Sequence, residues 1–486
     1  MKMFSGGEQD SPASASVKIR LYMVAYVIII NFFTGGKDLE KSQWGSKIGF
    51  ILAAAGSAIG LGALWRFPYM TAEHGGGAFL LVFLLFTLVV GLPLLLSEFV
   101  IGRAGGRNPI EGFEYLGGKR WYRVFGWSGN IAVILLLSFY SVIGGWILLY
   151  LVVAFINTVG LLPISDYGDM FGRVVTNPLY VILGQGTFLL LTVLIVAQGV
   201  QRGLERASKI MMPLLFILFI IIIIRSLTLP NAMEGVDFFL RPSFESINSE
   251  AVLYALGQSF FALSIGATTM ITYASYLDKS HNLTQSALYI VLMNVVISVM
   301  AGLAIFPAIA SFEMENVFGP GLIFIVLPQV FSEIALGNIF YILFLLAFLF
   351  ATLTSAISMI EINVANAIKG NENRRKVMAY VFGLIVFIIG IPSALSEGVL
   401  NDVQFFAGTI FDNVDFLVSN VMLPFNALVS SVFVGYILEY STVKNQVGVL
   451  RDSKMYTFFR GWILLLKFVL PVIIILVFVS NLLNFF

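Results

Sequence analysis

Trp44–Phe79 reads WGSKIGFILAAAGSAIGLGALWRFPYMTAEHGGGAF. The stretch is long and apolar enough to cross a bilayer, yet Gly56, Gly60 and Gly62 interrupt it, and Arg66 and Pro68 follow. A lone helix facing lipid would carry none of these features. Inside a membrane every backbone polar group needs a partner within the protein, so a broken helix is tolerated only where it lines a cavity. An intramembrane charge marks a functional site by default. The segment therefore predicts a polar cavity inside the bilayer, walled by freed backbone groups.

The rest of the chain fits that setting. Of 486 residues, 59% are hydrophobic and only 11% charged, with mean hydropathy +0.94. A soluble domain carries about 25% charged residues. Repeated apolar runs make this an all-α polytopic membrane protein. There is no cysteine, hence no disulfide framework or thiolate metal site. His74 and His281 are the only histidines, too few for His-based metal or acid–base chemistry. No basic tail or aromatic RNA-binding motif appears, so no nucleic-acid partner is expected. Residues 1–40 read as an N-terminal extension, disordered or a peripheral helix; a signal-peptide reading of Ile19–Phe33 lacks a cleavage site.

Hydropathy places about eleven spans, at residues 46–70, 79–101, 124–158, 179–199, 208–229, 250–276, 284–311, 338–368, 377–393, 403–438 and 459–483. Gly321–Ile334 is expected to be a re-entrant helix. Lys and Arg gather on one side, among them Lys47, Arg103, Arg123, Arg202, Lys279 and Arg374, while Arg173, Arg225 and Arg241 lie on the other. The positive-inside rule puts the rich side, and the N-terminus, in the cytoplasm. The sixth span carries Ser264-Ile265-Gly266-Ala267-Thr268 in its middle, in weak correspondence with Gly60-Leu61-Gly62 of the first. Paired interrupted spans in two halves point to a transporter binding site, and an odd number of spans per half inverts one half relative to the other.

GSAIGLGALWRFPY (56–69) with AEHGGGAF (72–79) resembles the opening of the neurotransmitter:sodium symporter family. Leu92-Pro93 with Glu98, GRAGG (102–106), ERASKIMMPLL (205–215), LTLPNAMEG (227–235), GQSFFALSIGATTMITYASYL (257–277), AGLAIFP (301–307), GPGLIFIVLPQVF (319–331) and LTSAISMIE (353–361) follow in family order. The resemblance runs from about residue 41 to about residue 435 and is closest to the prokaryotic amino acid transporters. It implies a LeuT-type 5+5 inverted repeat with helices 1 and 6 unwound at mid-membrane. The core would span 41–440, with repeats near 44–230 and 250–438, and 441–486 would hold a linker and a final helix.

The resemblance also assigns a substrate site. Ala58, Gly60, Leu61 and Gly62 would offer backbone groups to a substrate carboxylate. Tyr140 matches the family tyrosine that binds it, although an ordinary core tyrosine is the bland alternative. Gly60 stands where monoamine carriers have an aspartate, which argues for an α-amino acid. Leu136, Phe261, Ser264, Ala267, Ser355 and Met359 would form the side-chain pocket. Ala267 replaces a residue commonly bulky in the family, so a large apolar or aromatic amino acid is expected unless Met359 and Thr268 refill the space.

For the ions, the resemblance assigns a second sodium site to the Thr354 and Ser355 hydroxyls with the carbonyls of Gly56, Ile59 and Ala351. A first site is another matter. Its asparagine reads Ala63 and its sixth-span hydroxyl reads Ala262, leaving only Asn294. One coupled Na+ is therefore expected. Chloride dependence is not expected: Gln258, Asn294 and Ser298 match, but Phe83 replaces a tyrosine and Ala262 a serine.

Arg66 and Asp415 match an outer gate pair, with Asp412 as second choice. At the inner gate Trp44 is kept and Lys41 stands for an arginine, but the expected aspartate is Lys369, leaving Asp38 or Glu40 as partners. Gly203 and Pro213 carry the family spacing for unwinding of the fifth span. Glu98 and Glu361 are intramembrane carboxylates that burial would help to protonate.

The leading expectation is a sodium-driven symporter of a neutral amino acid in the cell membrane, monomer or homodimer, among lipid. A sodium-independent or proton-coupled exchanger is the alternative, and a non-transporting sensor a distant third. No nucleophile–base pair or cofactor motif suggests an enzyme.

Overall fold

The structure, a computed structural model, describes residues 43–158, 166–312, 321–449 and 454–483. The N-terminal extension and Lys41, Asp38 and Glu40 lie outside the described residues. Within them the chain is helical, joined by short turns and caps. The helices that build the site are α1 (Lys47–Ala58), α2 (Gly62–Glu73), α3 (Gly77–Gly105), α4 (Arg120–Thr158), α5 (Pro178–Val196), α6 (Val200–Leu227), α7 (Ser249–Ala262), α8 (Thr269–Ser275), α9 (Leu283–Ala310), α10 (Gly337–Ile368), α11 (Glu372–Ala394), α12 (Ile410–Ile437) and α13 (Met455–Ser480).

Nine of these are long and apolar enough to cross a membrane among the described residues, and the α1/α2 pair, bent by 51°, makes a tenth. The expected sixth span is two helices too short to cross alone, α7 and α8. The expected re-entrant piece is a short helix, Leu322–Ser332.

The first break follows directly from sequence. Ser46 caps α1 by accepting from the Gly49 amide at 3.0 Å. The helix ends at Ile59, where the backbone leaves the helical region. The second break has a different cause. Ser264, Gly266 and Thr268 all adopt positive φ, at 53°, 82° and 57°. A left-handed L-residue costs about 1–2 kcal/mol, so Ser264 and Thr268 need tertiary support. Hydrogen bonds on both sides of Gly266 provide it: its amide donates to Glu98 Oε1 at 2.7 Å and its carbonyl accepts from Asn426 Nδ2 at 2.9 Å.

Close approaches fix the positions of the helices. A Cβ on Gly102 would lie 2.1 Å from the Ile271 carbonyl, so α3 and α8 meet backbone to backbone. A Cβ on Gly129 of α4 would lie 2.1 Å from the Thr268 methyl. At the end carrying Trp44 the bundle is sealed. The Trp44 indole is 8% exposed, donates to the Tyr273 carbonyl at 2.9 Å, and meets the rings of Tyr273 and Phe50 edge-on.

Candidate functional site

The two breaks face each other across the middle of the bundle. Helix α1 points its C-terminal carbonyls at the first break, and the N-terminal amides of α2 face it from the other side. A helix end carries roughly half a unit charge, negative at the C-terminus and positive at the N-terminus. One broken span thus supplies both a cation-attracting and an anion-attracting end.

Around the α1 terminus the oxygens are dense. Thr354 Oγ1 lies 2.9 Å from the Gly56 carbonyl and 3.0 Å from those of Phe350 and Ala351. Ser355 Oγ lies 3.1 Å from the Gly56 carbonyl and 3.0 Å from that of Ser57. Ser264 Oγ also reaches the Ser57 carbonyl, at 2.9 Å. Each hydroxyl has one hydrogen, so oxygens outnumber donors, a donor set suited to a hard cation. Gly56, Ala351, Thr354 and Ser355 are brought together here, and Ile59 caps α1 one turn beyond Gly56. Gly56 is required: its Cβ would sit 2.9 Å from Thr354 Cβ.

Four residues on, Gly60 is bracketed. A Cβ there would lie 2.4 Å from Ser355 Oγ and 2.6 Å from Tyr140 OH. Tyr140 is 2% exposed, and its hydroxyl accepts from the Leu61 amide at 3.4 Å. Ala58, Leu136, Ala267 and Met359 are buried, while Phe261 and Ser264 are half-buried. Gly62 abuts Phe261, its Cβ position 2.9 Å from the ring. Thr268 turns its methyl onto Gly129 and leaves its hydroxyl without a partner.

Beyond the α2 break, Ala63 and Ala262 are fully buried methyls. Asn294 Nδ2 donates to the Ala262 carbonyl at 2.7 Å and the Ala58 carbonyl at 3.4 Å. Gln258 Nε2 donates to the Gly62 carbonyl at 2.6 Å. Their amide oxygens, buried and unpartnered, are what remain, so this corner presents acceptors. Ser298 donates to its own helix at the Asn294 carbonyl, 3.0 Å. Among the described residues no cluster of three or more His, Cys, Asp or Glu side chains could hold a metal.

The expected gate residues are placed unevenly. Arg66 lies over the Phe261 ring, 5.0 Å from its centre. Tyr69 is close enough to Arg66 and Asp415 to feel both charges. Arg66 and Asp415 form no ion pair in this conformation; Asp415 instead accepts from Ser419 at 2.6 Å. At the opposite end Lys369 lies 3.6 Å from Glu111, on the helix Pro109–Gly117. Glu98 keeps one carboxylate oxygen on Gly266 and the other without a partner. Glu361 is held as a partnered carboxylate: Arg375 of α11 pairs with it and Tyr276 OH donates to it at 2.7 Å.

Two further groups had no clear sequence signal. Glu205, at the start of α6, accepts from the Gly45 amide and Ser46 Oγ, both at 2.7 Å, and from Lys209 at 2.6 Å. Gly49 leaves the space it needs, since a Cβ there would lie 2.2 Å from the carboxylate. Asn426 on α12 is the other. Only the tertiary approach of distant helices reveals either.

Comparison with known proteins identifies the family. A family model described as "Sodium:neurotransmitter symporter family" matches residues 41–165 and 180–486. An uncharacterized sodium-dependent transporter of Bacillus subtilis (strain 168), YhdH, is 49% identical over 91% of this chain and 98% of its own. An uncharacterized sodium-dependent transporter of Haemophilus influenzae is 35% identical over 91% of this chain and 98% of its own. The crystal structure of MhsT in complex with L-phenylalanine superposes with a TM-score of 0.83 at 41% identity, covering 91% of this chain and all of that one.

Proposed function

Since the chain belongs to the sodium:neurotransmitter symporter family, we propose that this sodium-dependent symporter carries a large apolar or aromatic amino acid, driven by one Na+ at the Thr354–Ser355 site. The observation that carries the reading is the bracketing of Gly60. With Ser355 Oγ and Tyr140 OH within 2.6 Å of its Cβ position, no acidic side chain fits there. The amine of a substrate must then come with its own carboxylate, which meets the α2 amides and the Tyr140 hydroxyl. The turn of Thr268 onto Gly129 leaves the volume opened by Ala267 unfilled from that side, which favours a large side chain. MhsT was solved with L-phenylalanine, and the same ligand class suits this pocket.

The single-ion reading rests on Ala63 and Ala262, whose side chains offer no oxygen and leave Asn294 Oδ1 as the remaining side-chain oxygen of that set. Chloride is not expected to bind: Phe83 and Ala262 offer it no hydroxyl, and Gln258 and Asn294 already donate to the Gly62 and Ala262 carbonyls. The cycle is alternating access around the mid-membrane site. A cation at the α1 terminus screens the carbonyls of Gly56 and Ser57 and lets the break tighten around substrate. Arg66 and Asp415 then approach across Tyr69 in a vestibule losing water, where their attraction strengthens. The Trp44 end, cytoplasmic by the charge asymmetry, opens afterwards. The cell membrane, as monomer or homodimer, is its place of action. Uptake by purified protein in liposomes, with an amino-acid panel and with Na+ replaced by K+ or a pH gradient, tests the reading. Saturable, Na+-driven uptake of phenylalanine, leucine, methionine or tryptophan is expected. Preference for glycine or alanine, or accumulation without Na+, refutes it.

A further inference from the structure

The unwound segment between α7 and α8 is held by a cluster that the functional reading does not use. Gly266 sits at its centre with φ of 82°, and a Cβ on it would lie 2.2 Å from the Leu423 carbonyl of α12. Its amide is fixed by Glu98. Its carbonyl accepts from Asn426 Nδ2 at 2.9 Å, and Asn426 is 3% exposed. The Asn426 amide is oriented in turn: its Oδ1 accepts from Ser128 Oγ of α4 at 2.8 Å. The Gly266 N–H and C=O lie on the two peptide planes that flank its Cα, and with each held by a side chain neither plane can turn about Gly266. Ser264 and Ala267, on either side of it, therefore keep their directions towards the site.

We propose that Asn426 is a positioning residue for the substrate pocket: backed by Ser128, it holds the Gly266 carbonyl and so sets where Ser264 and Ala267 stand. This rests on reading those two residues as pocket wall. Removing the donor frees a peptide that already carries two left-handed neighbours, Ser264 and Thr268, and whose relaxed conformations point elsewhere. The substrate must then pay to restore it on binding, whereas the oxygens of Thr354, Ser355 and Gly56 belong to other helices and keep their geometry.

The test uses purified full-length protein with L-phenylalanine as probe. Asn426→Ala and Asn426→Asp, the latter isosteric but unable to donate when ionised, should each raise the L-phenylalanine dissociation constant about tenfold, the effect of one buried hydrogen bond. The Na+ half-saturation of Asn426→Ala should stay unchanged. Ser128→Ala should give a smaller loss, and Ser128→Ala/Asn426→Ala no more loss than Asn426→Ala alone, because Ser128 acts through Asn426. Amide hydrogen exchange across residues 263–268 should quicken in Asn426→Ala, while exchange in α13 stays as in the wild type. Unchanged phenylalanine affinity with unchanged exchange overturns the proposal, as does full additivity in the double variant. Wild-type protein that binds no phenylalanine refutes the substrate reading instead. The exchange across 263–268 and the response of whichever panel amino acid binds then decide the role of Asn426.

Discussion

Gly60→Ala is the most direct probe of the site. A methyl there would sit 2.4 Å from Ser355 Oγ and 2.6 Å from Tyr140 OH, about 1 Å inside ordinary van der Waals contact. Backbone strain is not the issue, because Gly60 does not occupy the left-handed region. Neither neighbour yields freely. Ser355 is held by the Gly56 and Ser57 carbonyls, and Tyr140 is buried against the Leu61 amide. Overpacking of this kind costs about 1–3 kcal/mol. If it displaces the two hydroxyls that face substrate and ion, apparent affinities fall roughly 5- to 150-fold. Because Ser355 serves both, the half-saturation values for L-phenylalanine and for Na+ should rise together. Gly257→Ala is the control: its Cβ meets nothing within 4 Å, and transport should be unaltered. Binding and uptake by purified protein, read against a thermal melt to exclude misfolding, measure both variants beside the wild type. A Gly60→Ala protein with wild-type affinity for both solutes would refute the bracketed geometry and the substrate reading built on it.

Other outcomes follow from the same coordinates. Thr354→Ala and Ser355→Ala should each raise the Na+ half-saturation by about tenfold or more, read by Na+ titration of uptake; an unchanged value removes the second-site assignment. Ala63→Asn with Ala262→Ser supplies the missing oxygens, and the Na+ Hill coefficient should climb from about one towards two; a wild-type coefficient already near two sinks the one-ion reading. Burial, and behind it the charge of Asp412, pushes the Glu397 carboxyl up from its ordinary value. The folded state thus holds that proton more tightly than the unfolded one, and the ionised group becomes destabilising as pH rises through the raised value. Glu397→Gln should raise Tm at about pH 7.5, by no more than ~2 °C, and make no difference below about pH 4; an equal shift at both pH values contradicts this.

Much of the first break was legible in residues 44–79, because glycine spacing, a charge and a proline in an apolar run are local signals. The hydroxyls of Thr354 and Ser355 could be assigned only through family resemblance; in isolation two adjacent hydroxyls on a helix say nothing. The gate is a mixed case. Arg66 and Asp415 both lie near Tyr69, yet they form no ion pair in this conformation. Sequence also suggested Asp38 or Glu40 beside Lys369. The partner found among the described residues is Glu111, brought there by the folding of a separate short helix.

What the sequence determined by itself is the membrane class and the broken first span, while the methyls at residues 63 and 262 and the acid-free position 60 took their meaning from the family resemblance. These depend on composition, spacing and side-chain identity, which do not change on folding. Only tertiary structure decided which oxygens meet. Glu205 reaches the cap of α1 from 160 residues away, and Asn426 reaches Gly266 from 160 residues on the other side. A hydrogen bond falls off within tenths of an ångström. Its partners are therefore fixed by how helices pack, and no local pattern in the chain encodes that.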